Sequence, residues 1–135
     1  MDNVLSDRAW EALMDDGAAS IAQHFGRGPA TWACDVLRDS DPALLRDTAV
    51  FISLKLDGHL RGCIGTIFAR DPLWLAVRQM AKAAAFEDPR FPPLSFEESG
   101  LCSLELSILS PLQECRDWRE IEPGTHGVLI RLVGH

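Results

Sequence analysis

The apolar positions of this chain follow two periods, and the switch between them divides it. Ala9, Trp10, Leu13, Met14, Ala18, Ile21, Ala22 and Phe25 recur at three- and four-residue steps, the repeat of a helix that buries one face. Ser6 stands where an N-cap belongs, and Gly26 stands where such a helix stops. Gly17 lowers helix propensity by about 1 kcal/mol relative to alanine, so a break there is allowed. Residues 26–46 mix Gly, Pro and Asp with a short apolar stretch, Trp32 to Leu37, and form a connector rather than a domain boundary. From Thr48 the period is two: Val50, Ile52, Leu54 and Leu56 alternate with Ala49, Phe51, Ser53 and Lys55. Asp57-Gly58 then signals a type I′ hairpin, and a returning strand is predicted from His59 to about Ile67. A two-residue turn sets Cys63 opposite Ile52 and Arg61 opposite Leu54, on the more apolar face. A longer loop would slip the register by one and reverse this.

Beyond the hairpin, Asp71-Pro72 offers a cap and a first-turn proline, and Leu73, Ala76, Val77, Met80, Ala81 and Ala84 form a second helical stripe. Arg78 and Lys82, four apart, are expected on its solvated face. Asp88-Pro89-Arg90-Phe91-Pro92-Pro93 must be a stiff extended loop, because its prolines exclude both helix interior and central strand. Ser95-Phe96-Glu97-Glu98 has the form of a capping box for one short helical turn closed by Gly100. Cys102 to Ser110 alternates again, Pro111 stops it, and Gly127 to Val133 is a last predicted strand. Hairpins dominate over strand–helix–strand alternation, so the fold class is α+β, a mostly antiparallel sheet with flanking helices. The chain stops at Val133-Gly134-His135, directly after an apolar strand. The expectation is that a C-terminal part completing the sheet is missing from the sequence, or that another chain covers the edge.

At 135 residues the chain suits one domain, with a helical segment over 1–45 and a core over 46–133. Hydrophobic residues at 47% and charged residues at 24% exclude bulk disorder. A net charge of -7 makes nucleic-acid phosphates an unfavourable default partner. Between Gly58 and Leu94, however, five bases face three acids, which leaves room for a local anion site. Neither a membrane-length apolar run nor a basic start before an apolar run is present, so a cytoplasmic chain without membrane contact is expected. Cysteines 34, 63, 102 and 115 show no Cys-x-x-Cys spacing. They are expected to be unpaired thiols, with no metal and no cofactor.

The segment with most chemical potential is the returning strand. On extended backbone His59, Arg61, Cys63 and Gly65 share a face, with a guanidinium on one side of the thiol and no side chain on the other. Arg61 would favour the thiolate and Gly65 would leave the sulfur reachable. Three readings of Cys63 stay open: a buried structural thiol, which the register favours, a functional thiol, and a metal ligand. His126 enters the last strand from a turn and serves either as a general acid or base or as a locally bonded turn residue. Asp88 caps the proline loop, and Arg90 either clamps an anionic ligand or ties the loop to the sheet. Cys102 and Cys115 lack a paired base. No Ser-His-Asp spacing, phosphate loop or dinucleotide fingerprint occurs.

Leu60-Arg61-Gly62-Cys63-Ile64-Gly65-Thr66 after an Asp-Gly turn, Asp88-Pro89-Arg90-Phe91-Pro92-Pro93-Leu94, and His126-Gly127-Val128 follow one another in order. In these three segments the chain resembles the AMMECR-domain family. The resemblance implies an α+β fold in two lobes that continues past this chain's end. It also implies a context: bacterial and archaeal members look like the A component of the AmmeMemoRadiSam set, found beside Memo-type and radical-SAM proteins. Carried over residue by residue, it points to Arg61, Gly62, Cys63 and Gly65, with Asp88, Arg90 and His126 as motif positions without an assigned role. The leading expectation is an accessory component that binds a small or macromolecular substrate in a cleft beside Cys63 and the proline loop. The alternative is a thiol-dependent enzyme with Cys63 as nucleophile, Arg61 lowering its pKa, and His126 or His59 as base. A third reading is a noncatalytic adaptor docking a partner by the sheet edge.

Overall fold

The computed structural model describes residues 5–110 and residue 119. The strand expected over 127–133 lies outside the described residues, as do Pro111, Cys115 and His126. The elements are α1 (Asp7–His24), α2 (Ala33–Leu37), a 3-10 turn (Pro42–Leu45), β1 (Ala49–Leu56), β2 (His59–Gly65), α3 (Leu73–Phe86), α4 (Phe96–Ser99) and β3 (Ser103–Leu109). Helices packed on an antiparallel sheet make this an α+β fold, as the periods predict.

α1 starts where the Ser6 side chain accepts the Ala9 N–H, and it runs unbroken through Gly17. A Cβ at Gly17 would lie 3.2 Å from Leu104 Cδ1, so the glycine makes room for a β3 side chain against the helix. Leu13 of α1, Val50, Ile52 and Leu54 of β1, and Val77 of α3 are fully buried; they form the core between the helices and one sheet face. The entry to α3 differs from the sequence expectation. Asp71 does not cap it by its side chain. Pro72 takes the N-cap position, while Thr48 N–H donates to the Asp71 carbonyl and Leu73 N–H to the Arg46 carbonyl, which pins the helix start to the start of β1.

Arg78 is not on a solvated face. Its guanidinium lies 4.1 Å from the Trp32 ring centroid and 4.8 Å from that of Trp74. Nη2 bridges Asp16 at 3.1 Å and Asp35 at 3.0 Å. A weakly hydrated, planar cation suits such an aromatic and carboxylate setting; the carboxylates arrive from α1 and α2, Trp32 from the start of α2 and Trp74 from one turn earlier on α3. Asp16 also accepts the N–H groups of Ala33 and Cys34 at the start of α2. Burial, then the Asp16 charge, pushes the Cys34 thiol up to about 12, making it a core residue without nucleophilic character.

β1 is central in the order β2-β1-β3. The turn forms as predicted, with Asp57 at φ 53° and Gly58 at φ 79°, and Leu56 pairs with His59 and Lys55 with Leu60. The register then shifts: Leu54 pairs with Gly62, so Arg61 is an extra residue, a β-bulge. Beyond it Cys63 faces Ser53, Ile64 faces Ile52 and Gly65 faces Phe51. This corrects the expected pairing of Cys63 with Ile52 and of Arg61 with Leu54. The slip comes from the bulge, not from a longer loop. It moves Gly62 and Ile64 to the helix side and Cys63 to the opposite face of the sheet.

Candidate functional site

Among the described strands β2 has β1 as its one neighbour, so Cys63's peptide groups that point away from β1 need partners. They come from the loop after α3. The Asp88 carboxylate accepts the Cys63 N–H at 3.0 Å, and Arg90 Nη2 donates to the Cys63 carbonyl at 3.4 Å. Asp88 is buried and also accepts from Arg90 N, Nε and Nη2 at 3.0, 3.0 and 2.8 Å. These arginine bonds first, and the Cys63 N–H next, hold its carboxyl well below the usual carboxylate range. The same bonds to Asp88, with the charge of its carboxylate, raise the Arg90 guanidinium. Arg90 is thus a cation paired with Asp88, and its bond to the Cys63 carbonyl ties the proline loop to the sheet.

Arg61 has another role. The bulge buries it to 8% exposure, where Nε and Nη2 bond the Glu98 carboxylate at 3.1 and 3.0 Å and Nη2 donates to the Pro92 carbonyl at 2.8 Å. Glu98 belongs to the predicted capping box, its Oε1 accepting the Ser95 N–H at 3.0 Å. Its carboxyl falls to about 2, by the Arg61 hydrogen bonds first and then the Ser95 N–H. A single carboxylate thus caps α4 and neutralises Arg61. The sequence shows the first function and hides the second, because the partner lies 37 positions away.

The motif glycines serve packing. A Cβ on Gly62 would overlap the Ala84 carbonyl oxygen of α3. A Cβ on Gly65 would overlap the Phe51 ring and the Val50 carbonyl, so the flank expected to expose the sulfur is filled by an aromatic ring. Cys63 itself is half-buried and accepts a hydrogen bond from Ser53 Oγ at 3.2 Å, a partner that the expected register concealed. His59 is exposed at the turn end of β2, opposite Leu56, and His126 lies outside the described residues. One cavity of about 90 Å³ lies on the helix side against Ile21, Leu54, Leu94 and Leu104, and a smaller one lies beside Arg70 and Gln79. Cys63 lines neither, so the thiol occupies a sheet face rather than either of these cavities. Among the described residues no group of three or more His, Cys, Asp or Glu could hold a metal ion, and no helix is long and apolar enough to cross a membrane.

Comparison with known proteins gives a consistent assignment. The family model described as AMMECR1 matches residues 18–135. A Thermotoga maritima protein is 45% identical over 87 residues, covering 63% of this chain and 50% of its own length. A Methanosarcina acetivorans protein is 35% identical over 104 residues, covering 72% of this chain and 51% of its own length. The crystal structure of an uncharacterised Pyrococcus horikoshii protein superposes with a TM-score of 0.67 at 29% identity, over 82% of this chain and 55% of that one. The chain spans about half the length of the curated relatives it matches.

Proposed function

This chain belongs to the AMMECR1 family, and from that premise we propose that it is a substrate-binding accessory component of an AmmeMemoRadiSam-type modification system. It works in the cytoplasm beside Memo-type and radical-SAM proteins, and its substrate contacts the sheet face that carries Cys63 and Ser53, with Arg90 at the edge. One observation carries the reading: two separate motif segments converge to fix a single peptide. Asp88 and Arg90 hold the Cys63 N–H and carbonyl, while Arg61, two residues before, is anchored by its own side chain to Glu98 and Pro92. That arrangement orients a half-buried thiol rigidly on a face turned away from the helices, which is the support a binding surface needs. The geometry gives the thiol-enzyme reading less support, since the Arg61 guanidinium is committed to Glu98. The sheet-edge adaptor reading is weakened on the β2 side by the same loop.

The test is the alkylation rate of Cys63 in the folded chain, read by peptide mass spectrometry, alone and with purified Memo-type and radical-SAM proteins. Cys63 is expected to label well ahead of buried Cys34 and to be protected several-fold by a partner. Labelling of Cys63 only on unfolding, or a rate no partner alters, overturns the reading. Rapid labelling below neutral pH that is lost in Arg90→Ala would move it to a thiol-dependent enzyme.

A further inference from the structure

The β2 edge combines two properties that together create a hazard. From Gly62 to Ala69 the sequence Gly-Cys-Ile-Gly-Thr-Ile-Phe-Ala contains no charge and no proline, and so none of the residues that ordinarily keep an edge from pairing. Four of these residues, Gly62 to Gly65, form the end of β2, a strand that among the described residues is bonded on one side, to β1. Edge strands of this composition are ordinarily blunted by lysine, by proline or by a covering segment. Here the sequence of the strand supplies neither residue. The loop supplies the cover: Asp88 provides an acceptor for the Cys63 N–H and Arg90 a donor for the Cys63 carbonyl, the two bonds that a neighbouring strand would make there. The bulge at Arg61 and its bond to the Pro92 carbonyl keep the loop alongside.

We propose that Asp88 and Arg90 act as a side-chain substitute for a neighbouring strand, and that they close the β2 edge against pairing with the β2 edge of a second copy of this chain. A second copy is the occupant because an uncharged segment meets no repulsion from itself, and antiparallel pairing about a two-fold axis sets the segment opposite its own copy. The inference goes beyond the proposed function: it starts from the same two bonds at Cys63 but concerns what they do to the backbone edge, and its readout, the mass of the chain in solution, is independent of whether the thiol face binds a substrate.

The experiment compares the full chain, Arg90→Ala, Asp88→Ala with Arg90→Ala, and that double variant with Cys63→Pro added. Sedimentation velocity is run under reducing conditions over two decades of concentration, with far-UV circular dichroism to establish folding. The proline deletes the outward N–H without removing a bond to β1. The expected result is a concentration-dependent rise in mass, toward a doubling, in the double variant. A smaller rise is expected in Arg90→Ala, and a return to the parent mass in the triple variant. A folded double variant with the parent's mass at every concentration overturns the proposal, as does a triple variant that associates equally. If the double variant does not fold, Arg90→Ala decides, since Arg90 is more than half exposed at 57%: an unchanged mass overturns the proposal and a raised mass supports it.

Discussion

At Gly62 the backbone of α3 occupies the space a side chain would need, since a Cβ would overlap the Ala84 carbonyl. Gly62→Ala should therefore destabilise the chain by about 1–3 kcal/mol through forced separation of α3 and β2, read as a lower urea midpoint at unchanged slope. An unaffected midpoint would mean that α3 can shift without loss. Such a contact cannot be inferred from an isolated Arg-Gly-Cys segment, where a glycine beside a cysteine suggests access rather than crowding. Arg61 and Arg78 teach the same lesson. Both lie in segments whose local pattern is legible, yet Glu98 for one and Asp16, Asp35 and Trp32 for the other come from distant positions. Arg90 is legible in kind: a basic residue in a proline-rich loop is expected either to clamp a ligand or to tie the loop to the sheet, and its bonds to Asp88 and the Cys63 carbonyl make the tie.

The elements themselves follow closely from period and punctuation. Ser6, the Asp57-Gly58 turn, the α3 stripe and the Ser95 capping box each act through neighbours within a few positions, so the sequence displays them directly. The bulge does not belong to that class. It depends on a long side chain finding a tertiary partner, and no local pattern marks it; consequently the face that Cys63 occupies was inverted in the expected register. Gly17 offers a test at this scale. Gly17→Ala gains about 1 kcal/mol of helix propensity, against a contact of 3.2 Å with Leu104 Cδ1, the end of a flexible side chain. The expected outcome is a small rise in Tm, reflecting a net gain below about 1 kcal/mol. A fall in Tm would show that α1 and β3 are locked in contact.

Across the whole molecule, acid stability depends on the carboxylates that hold the loop and α4 to β2. Glu98 has its carboxyl lowered from 4.5 to about 2 by Arg61, and Asp88 is lowered by Arg90. A depressed folded value means that the stabilisation is present above the unfolded value and is lost as pH falls through the folded one. Stability should then decline from about pH 4.5 toward pH 2. Glu98→Gln should lower the urea midpoint at neutral pH and flatten that decline; an unchanged acid slope would assign the linkage elsewhere. The chain between the two halves of this assembly is essentially α3. Its 14 residues rise about 21 Å, and the seven of β2 extend about 23 Å. The helix begins beside Asp47 and returns the chain to Gly62, so it acts as a ruler that delivers Asp88 to Cys63. A one-turn deletion in α3 would leave a helix intact in propensity yet land the loop short by about 5 Å, mis-threading every bond between loop and strand at once. Helix length, rather than loop sequence alone, is thus what insertions and deletions in this chain must respect.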